Sequence, residues 1–273
     1  MLLLSCWRWA VKELTPHSPS ADLDVELLLA DVLGLTRAQL YSQKPDRMLL
    51  PAQQKMLKSL LWRRKAGEPV AYLLGRQEVT PAVLIPRPET ELLVQHLLET
   101  ITPDRHKIAD LGTGSAAISV ALAIARPDWQ LVATDYSRAA LRVAERNVRY
   151  YKLKNIELRW GNWCQALLAG EKFAAIISNP PYLASDDPHL QSEPALAYEP
   201  KKALIAGKKG LNDLETIIKQ SREYLCEGAY VFLEHGYQQA DLVQQFFLKY
   251  GYHSTKKYKD LAGHQRVSRG KWH

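Results

Sequence analysis

An asparagine, two prolines and a tyrosine at positions 179–182 are the residues best suited to chemistry. They follow the apolar run 174–178, a predicted strand, at whose carboxyl end α/β sheets bind ligands. The prolines stiffen the backbone and present carbonyls without N–H donors. The Asn179 side chain and the Pro180 carbonyl would then form a fixed pair of acceptors for an NH2 group, with Tyr182 packed on a flat amide or base. The structural alternative is an ordinary proline turn.

A turn with two glycines at 110–116 lies between another predicted strand and a helix. Gly112 and Gly114 permit a sharp turn and a close approach of backbone to a ligand, and the helix N-terminus beyond attracts an anionic group. Asp135 ends the next strand, about 20 residues further on, where a carboxylate can accept both ribose hydroxyls of an adenosine. The alternative is that Asp135 caps the next helix together with Ser137. The pattern predicts an adenosine-containing cofactor and leaves NAD and S-adenosylmethionine open, and the acceptor loop favours the latter.

Strands and helices alternate from Lys107 onward, which predicts a parallel α/β sheet. The last two apolar segments, 252–258 and 265–267, leave no room for a crossover helix, so we expect an antiparallel hairpin there. The other predicted strands are 108–110, 131–133, 156–158, 173–178 and 229–233.

The first eighty residues predict short helices that pack as a small bundle. One helix begins near Asp22 and ends at Gly34, and another begins at Pro51. Prolines at 81, 86 and 88 then predict a stiff connector. The apolar faces are expected to consist of Leu23, Leu27, Leu28 and Val32 in the first helix and Met56, Leu57, Leu60 and Leu61 in the second.

The composition excludes several classes of protein. With 47% hydrophobic and 24% charged residues, the chain is not wholly disordered, collagen-like or coiled coil. No apolar run approaches the ~18 residues that cross a bilayer, and the apolar opening predicts a helix rather than a signal peptide. Three distant cysteines and the absence of metal-ligand spacing indicate a reducing, cytoplasmic setting without a metal site. The net charge of +7 permits a nucleic-acid partner without requiring one.

Together these motifs resemble the S-adenosylmethionine-dependent amino-group methyltransferases. More narrowly, the sequence resembles the bacterial glutamine methyltransferases of peptide chain release factors, over nearly its whole length. The segment 84–91, Leu-Ile-Pro-Arg-Pro-Glu-Thr-Glu, is the most specific element of this resemblance. Further matching segments are 67–72, 162–163, 177–182, 198–200, 203–204 and 234–236.

The resemblance implies a seven-stranded Rossmann-like methyltransferase sheet, mostly parallel with one antiparallel strand, and a small N-terminal helical bundle. It implies three regions: a substrate-recognition domain at 1–76, a linker at 77–90 with a β-hairpin, and the methyltransferase domain at 91–273. The cofactor-binding residues that it implies are Asp110, Gly112, Thr113, Gly114, Ser115, Ala116, Asp135, Asn162, Trp163 and Asn179. The residues that it implies for binding the substrate glutamine are Asn179, Pro180, Pro181, Tyr182, Arg87 and Glu89. Among them, Asn179, Pro180 and Tyr182 are the predicted catalytic residues.

The sequence departs from the family at three places. Ala116 stands where glycine is usual, and Asn162 where aspartate is common, which weakens an expected contact with adenine. Between Glu78 and Leu84 the chain is several residues shorter than the family, so we expect a segment near Glu78 and Val79 to be missing from the sequence. A distance of about 3.8 Å between the Cα atoms of Glu78 and Val79 would instead indicate a true deletion.

The predicted reaction moves a methyl group from S-adenosylmethionine to the side-chain amide of the glutamine in the Gly-Gly-Gln motif of release factors. The first alternative is a nucleic-acid methyltransferase that acts on an exocyclic amine of adenine or guanine, with the flipped base stacked on Tyr182. The second is a non-catalytic dinucleotide-binding module, which leaves the loop 179–182 without a purpose. We expect a monomer that is not bound to a membrane and needs no nucleic acid.

Overall fold

The computed structural model describes residues 1–66, 68, 70–74, 83–84, 88–187, 200–207, 210–260 and 262–273. These residues fall into two compact units. One contains the described residues up to Leu74, and the other contains the described residues from Val83 onward. Within the described ranges, no helix has the length and the apolar character needed to cross a membrane.

The N-terminal unit is a small helical bundle, as predicted. Its helices are α1 (Leu3–Leu14), α2 (Ala21–Leu33), α3 (Arg37–Tyr41), α4 (Pro51–Lys65) and α5 (Val70–Leu74). Helix α2 ends at Gly34, whose φ of 65° is the left-handed conformation that glycine adopts most readily. Its apolar face packs Val25, Leu28 and Leu29 fully out of solvent.

Two residues assigned to the apolar faces of this bundle are exposed instead. Leu23 retains 42% of its accessible surface, because at 100° per residue it lies on the side of α2 opposite Val25. Met56 retains 47%, since it borders rather than joins the face of α4 that carries Leu57. Asp24, the next residue of α2, is buried and forms an ion pair in which Arg64 Nε donates to its carboxylate at 2.8 Å.

The second unit contains a seven-stranded sheet, which confirms the predicted fold class. Its strands lie in the order β3-β2-β1-β4-β5-β7-β6, all parallel except β7, which is antiparallel to both neighbours. The predicted hairpin at the end of the chain is therefore confirmed as β6 and β7. The strands are β1 (Lys107–Leu111), β2 (Gln130–Asp135), β3 (Ile156–Trp160), β4 (Phe173–Ser178), β5 (Leu225–Glu234), β6 (His253–Lys259) and β7 (Gln265–Lys271).

Alternate residues along the strands feed two separate apolar cores, since successive side chains point to opposite faces of a sheet. In β4, Ile176 belongs to one core and Ile177 to the other. Helices cover both faces: α6 (Pro88–Thr100), α7 (Ala117–Ala125), α8 (Arg138–Tyr150), α9 (Asn212–Ser221) and α10 (Ala240–Lys249). Because both faces are covered, the free carboxyl ends of the parallel strands are the natural place for a ligand.

The strand order reverses between β1 and β4, and this places two of the predicted motifs side by side. Leu111 pairs with Ser178 in the sheet. The glycine turn therefore leaves β1 next to the point where residues 179–182 leave β4. Crevices at such reversals are where open α/β sheets bind ligands.

Helix α6 begins at Pro88, inside the segment assigned to the linker. Proline suits the first position of a helix because its missing N–H would have no partner there. The start at Pro88 places Thr90 in the first turn, where it is buried. Glu78, Val79 and Arg87, together with the side chain of Glu89, lie outside the described residues, so the expected missing segment and the predicted roles of Arg87 and Glu89 stay untested.

Candidate active site

A cavity of about 560 Å³ opens at the carboxyl ends of the parallel strands, within the sheet-containing unit. This volume lies in the range of small-molecule sites. The predicted residues on its lining are Gly112, Thr113, Gly114, Ser115, Asp135, Asn162, Trp163, Asn179 and Pro181. The glycine turn, the strand-end acid and the acceptor loop thus share one space.

The glycine turn at the end of β1 requires glycine at position 112 for two reasons. Gly112 has a φ of 72°, and a Cβ there would lie 2.9 Å from Cζ3 of Trp163. Gly114 also has a positive φ, of 56°, but a Cβ there would meet no atom within 4 Å. Close contact with the indole therefore dictates Gly112, whereas only the backbone conformation favours glycine at 114.

Ala116, the residue that replaces the family's glycine, has a φ of 65° and precedes the first turn of α7. Left-handed backbone costs a non-glycine residue roughly 1–2 kcal/mol, which explains why glycine is the usual residue here. Ala116 is fully buried and does not line the cavity. Its methyl group therefore does not narrow the cavity.

Asp110 lies behind the turn rather than on the cavity lining. It is fully buried, and its Oδ2 accepts from Thr113 Oγ1 at 2.6 Å and from Ser119 Oγ at 2.7 Å. Burial raises the pKa of Asp110 to about 6, although these two hydroxyls oppose the shift. Its Oδ1 has no hydrogen-bond partner among the described residues. In this structure Asp110 ties the glycine turn to the start of α7.

Asp135 lies on the lining and joins two loops through its carboxylate. Its Oδ2 accepts from the Gly114 N–H at 3.0 Å, and its Oδ1 accepts from the Ser137 N–H at 2.8 Å. Burial raises the pKa of Asp135, and these two N–H donors lower it. Ser137 in turn caps α8 by accepting from Ala140 N. The residue thus shapes the loops, and each oxygen keeps a lone pair for a ligand hydroxyl.

Trp163 forms an aromatic wall of the cavity, and Asp213 fixes its orientation. The indole N–H donates to Asp213 Oδ1 at 3.2 Å, and the ring is buried against Gly112. Burial raises the pKa of Asp213, against the lowering effect of the indole N–H. Asn162 lies beside Trp163 on the lining and is exposed. Asp213 was not among the predicted site residues, because no spacing pattern connects it with Trp163.

The side-chain oxygen of Asn179 is a hydrogen-bond acceptor to which no described residue donates. Its Nδ2 donates to Thr90 Oγ1 at 3.0 Å, while its Oδ1 is buried without a hydrogen-bond partner among the described residues. A buried polar atom left in this way costs roughly 1–3 kcal/mol, a cost that a bound N–H donor removes. Pro181 lies beside it on the lining, whereas Pro180 is buried and is not among the lining residues.

Tyr182 does not line the cavity, and its hydroxyl group points to a buried acid. It donates to Glu234 Oε1 at 3.2 Å, and Glu234 Oε2 accepts from Thr90 Oγ1 at 2.8 Å. Thr90 and Glu234 both lie in segments that carried the family resemblance, yet neither was a predicted site residue. Their sequence separation of 144 residues hides the contact until the chain is folded.

His235 follows Glu234 and is a buried neutral histidine rather than a base. Its Nδ1 donates to the Gly236 carbonyl at 2.9 Å, so its Nε2 accepts from Ser268 Oγ at 2.8 Å. Burial lowers the pKa of His235 to about 4. As the pH falls from 6.5 toward 4, this histidine therefore binds a proton in the unfolded chain but not in the folded one, and the folded state loses stability.

We expect His235→Gln to reduce the pH dependence of stability. In the wild type, His235 makes its full contribution above pH 6.5 and loses about 2 kcal/mol of it between pH 7 and pH 5. Urea unfolding at the two pH values should show a difference smaller by about that amount in the variant. The exposed His17→Gln serves as the control and should keep the wild-type difference. An unchanged difference in His235→Gln would mean that His235 is not buried in its neutral form.

Comparison with known proteins identifies the family. Residues 5–75 match the family description "PrmC N-terminal domain", and residues 88–211 match "Methyltransferase small domain". A release factor glutamine methyltransferase of Coxiella burnetii is 44% identical over 264 residues, and the match covers 94% of each chain. The protein of that name from Escherichia coli is 41% identical over 263 residues, again over 94% of each chain.

Solved structures agree with the fold. A methyltransferase from Pyrococcus furiosus gives a TM-score of 0.55 at 20% identity, over 78% of this chain and 96% of that one. The Thermus thermophilus 16S rRNA N2 G1207 methyltransferase, in complex with AdoMet and guanosine, gives 0.52 at 18% identity, over 69% of this chain and 44% of that one. At such identities the likeness shows the fold alone. The close relatives, matched over nearly their whole length, show more: the chain belongs to the family of release factor glutamine methyltransferases.

Proposed function

We propose that this chain transfers a methyl group from S-adenosylmethionine to the side-chain amide nitrogen of the glutamine in the Gly-Gly-Gln motif of class I release factors. The observation that carries the proposal is the shared cavity. Its lining includes Asp135, the glycine turn and Asn179, whose buried Oδ1 has no partner within the described part of the chain. The names of relatives more than 40% identical support the same substrate.

The cavity has the features that S-adenosylmethionine requires. Asp135, Gly112 and Gly114 lie on the lining, so the Asp135 carboxylate would accept the ribose hydroxyls and the glycine turn would hold the methionine portion. Trp163 packs beside the adenine. When bound, the cofactor supplies a methyl group on a positively charged sulfur. The protein must then position a nucleophile and exclude water.

The chain's own contribution is to hold the substrate amide. An amide nitrogen is a poor nucleophile, because its lone pair is delocalised into the carbonyl. The Oδ1 atom of Asn179 and the Pro180 carbonyl accept the two N–H bonds of the glutamine and direct the nitrogen toward the cofactor. These bonds strengthen as the nitrogen becomes tetrahedral, so they stabilise the transition state more than the ground state. No strong base is needed, since the methylated amide becomes acidic and loses its proton late.

The remaining assignments concern partners and setting. We propose that the helical unit of α1 to α5 contacts the release factor and that Arg87 and Glu89 help to hold its glutamine. We also propose that the enzyme acts as a monomer in the cytoplasm and needs no nucleic acid. Its connector and domain boundaries are those proposed from the sequence, 1–76, 77–90 and 91–273.

Incubation with S-adenosylmethionine that carries a labelled methyl group tests the function. We expect label on a purified class I release factor and none on the same factor with its Gly-Gly-Gln glutamine replaced by alanine. Nuclease treatment should leave the rate unchanged. Label on added RNA but not on the release factor would overturn the proposal in favour of an exocyclic-amine methyltransferase.

A further inference from the structure

Three side chains form a hydrogen-bonded chain that ends at the acceptor loop, and the middle one, Thr90, also lies on the cavity lining. Asn179 Nδ2 donates to Thr90 Oγ1 at 3.0 Å, and Thr90 Oγ1 donates to Glu234 Oε2 at 2.8 Å. Glu234 is fully buried and Thr90 is 8% exposed. The chain therefore connects the end of β5, the first turn of α6 and the loop after β4. Of the predicted cofactor residues, only Asn179 takes part in these contacts.

Proton counting fixes the orientation of the Asn179 amide. A threonine hydroxyl has one hydrogen, and an ionised Glu234, which can only accept, takes that hydrogen at the 2.8 Å contact. Thr90 Oγ1 can therefore only accept from Asn179, so the NH2 end of the amide must face Thr90. The two ends of an asparagine amide are nearly the same in shape, so packing alone would not distinguish them. The carboxylate of Glu234 makes the distinction.

We infer that Glu234, acting through Thr90, sets the orientation of the Asn179 amide and thereby the selectivity of the site for glutamine. This inference rests on the proposed function. With the NH2 end engaged, Asn179 offers Oδ1 to the substrate. Glu234 does not line the cavity, and the hydroxyl of Thr90 is engaged by Glu234 and Asn179, so we treat both as positioning residues that act on the substrate through Asn179.

The orientation decides between glutamine and glutamate. A glutamine NH2 group satisfies Asn179 Oδ1, whereas a glutamate carboxylate brings a second acceptor against it. Both groups then lose a hydrogen bond in a confined space, which disfavours binding. With the amide reversed, its NH2 end would meet the substrate, and the preference would shift toward the carboxylate. The Glu234 contact thus excludes a deamidated release factor.

Substitutions at Thr90 provide the first test. Thr90→Val keeps the shape but cannot accept from Asn179, and we expect kcat to fall by about tenfold or more, because a small misplacement of a reacting group costs this much. The dissociation constant of S-adenosylmethionine should change little. Thr90→Ser should recover most of the lost turnover. Thr100→Val removes a hydroxyl at the other end of the same helix, which donates to the His96 carbonyl and accepts from Arg269; it controls for helix stability and should keep wild-type kcat.

The second test measures selectivity directly. Two release factors that carry glutamate or alanine in place of the Gly-Gly-Gln glutamine are used as competitive inhibitors, and the alanine form reports binding by the rest of the interface. The ratio of their inhibition constants, glutamate over alanine, should fall by about fivefold or more in Glu234→Gln, because a glutamine there can donate to Thr90 and let the Asn179 amide reverse. Thr90→Val should lower the same ratio.

The outcomes separate this inference from the function itself. If wild-type enzyme fails to methylate the native release factor, the proposed function is wrong. If the wild type is active but Thr90→Val matches Thr90→Ser in turnover, or the inhibition ratio is unchanged in Glu234→Gln, the inference is overturned. If Thr90→Val fails to fold, as judged by loss of cofactor binding, the ratio in Glu234→Gln decides.

Discussion

Replacing Asn179 with alanine is expected to lower kcat for release-factor methylation by at least about a hundredfold, the scale of losing one fixed hydrogen-bonding group aimed at the transition state. Asn179 Oδ1 is a buried acceptor on the cavity that has no hydrogen-bond partner among the residues that the structure describes, and alanine removes it. The glutamine nitrogen would then keep its planar geometry and lose its direction. Single-turnover rates with saturating cofactor and release factor measure the effect.

Cofactor binding should survive this substitution. The wall formed by Asp135 and Gly114 makes its hydrogen bonds without Asn179. Thr90 keeps its bond to Glu234 when the asparagine is gone. Titration calorimetry should therefore give a dissociation constant for S-adenosylmethionine close to that of the wild type. Ser185→Ala, an exposed position a few residues along the chain, is the matched control. Near-wild-type turnover in Asn179→Ala would reject the acceptor-pair mechanism.

The second large effect is expected at Gly112. Alanine there adopts left-handed backbone at a cost of roughly 1–2 kcal/mol, and its Cβ would lie 2.9 Å from the Trp163 ring. The turn or the indole must move, and both line the cavity. We expect the affinity for S-adenosylmethionine to fall by at least about tenfold, with a loss of unfolding free energy of about 2–3 kcal/mol when overpacking adds to the backbone strain.

Gly170→Ala separates the two contributions. Gly170 has a φ of 83° and open space where a Cβ would lie. An alanine at this position would therefore have the strain of left-handed backbone but no close contact of its Cβ, and Gly170 does not line the cavity. Calorimetric binding should be unchanged in Gly170→Ala, and its stability loss should be the smaller of the two. Equal effects in both variants would mean that Trp163 does not depend on Gly112.

The motifs that could be read along the chain are those whose parts are close in sequence. The turn of Gly112 and Gly114 and the loop that contains Asn179 are each continuous, and each follows a strand with a clear apolar pattern. Neighbouring parallel strands end at one edge of a sheet, so their position on one cavity could be predicted from strand order alone. The position of Asp135 on the same cavity could be predicted in the same way, because Asp135 ends the strand that follows next in the sequence.

Burial was harder to predict than the presence of helices. Leu23 was expected in the core of the N-terminal bundle, but it lies on the exposed side of its helix. Its neighbour Asp24 is buried instead and forms an ion pair with Arg64. A hydrophobicity pattern predicts that apolar residues are inside. It cannot show that a distant arginine compensates a buried acid, because that contact spans 40 residues.

The sequence by itself determined the class of sheet, the family and the continuous motifs, because these depend on local backbone preferences and on residue order. Only the tertiary structure decided how the site is held. Asp213 orients Trp163, and Glu234 orients Asn179 through Thr90, across separations of 50, 144 and 89 residues for the successive contacts. Side-chain hydrogen bonds form wherever packing brings a donor within about 3 Å of an acceptor. That distance is set by the fold, and no spacing along the chain encodes it.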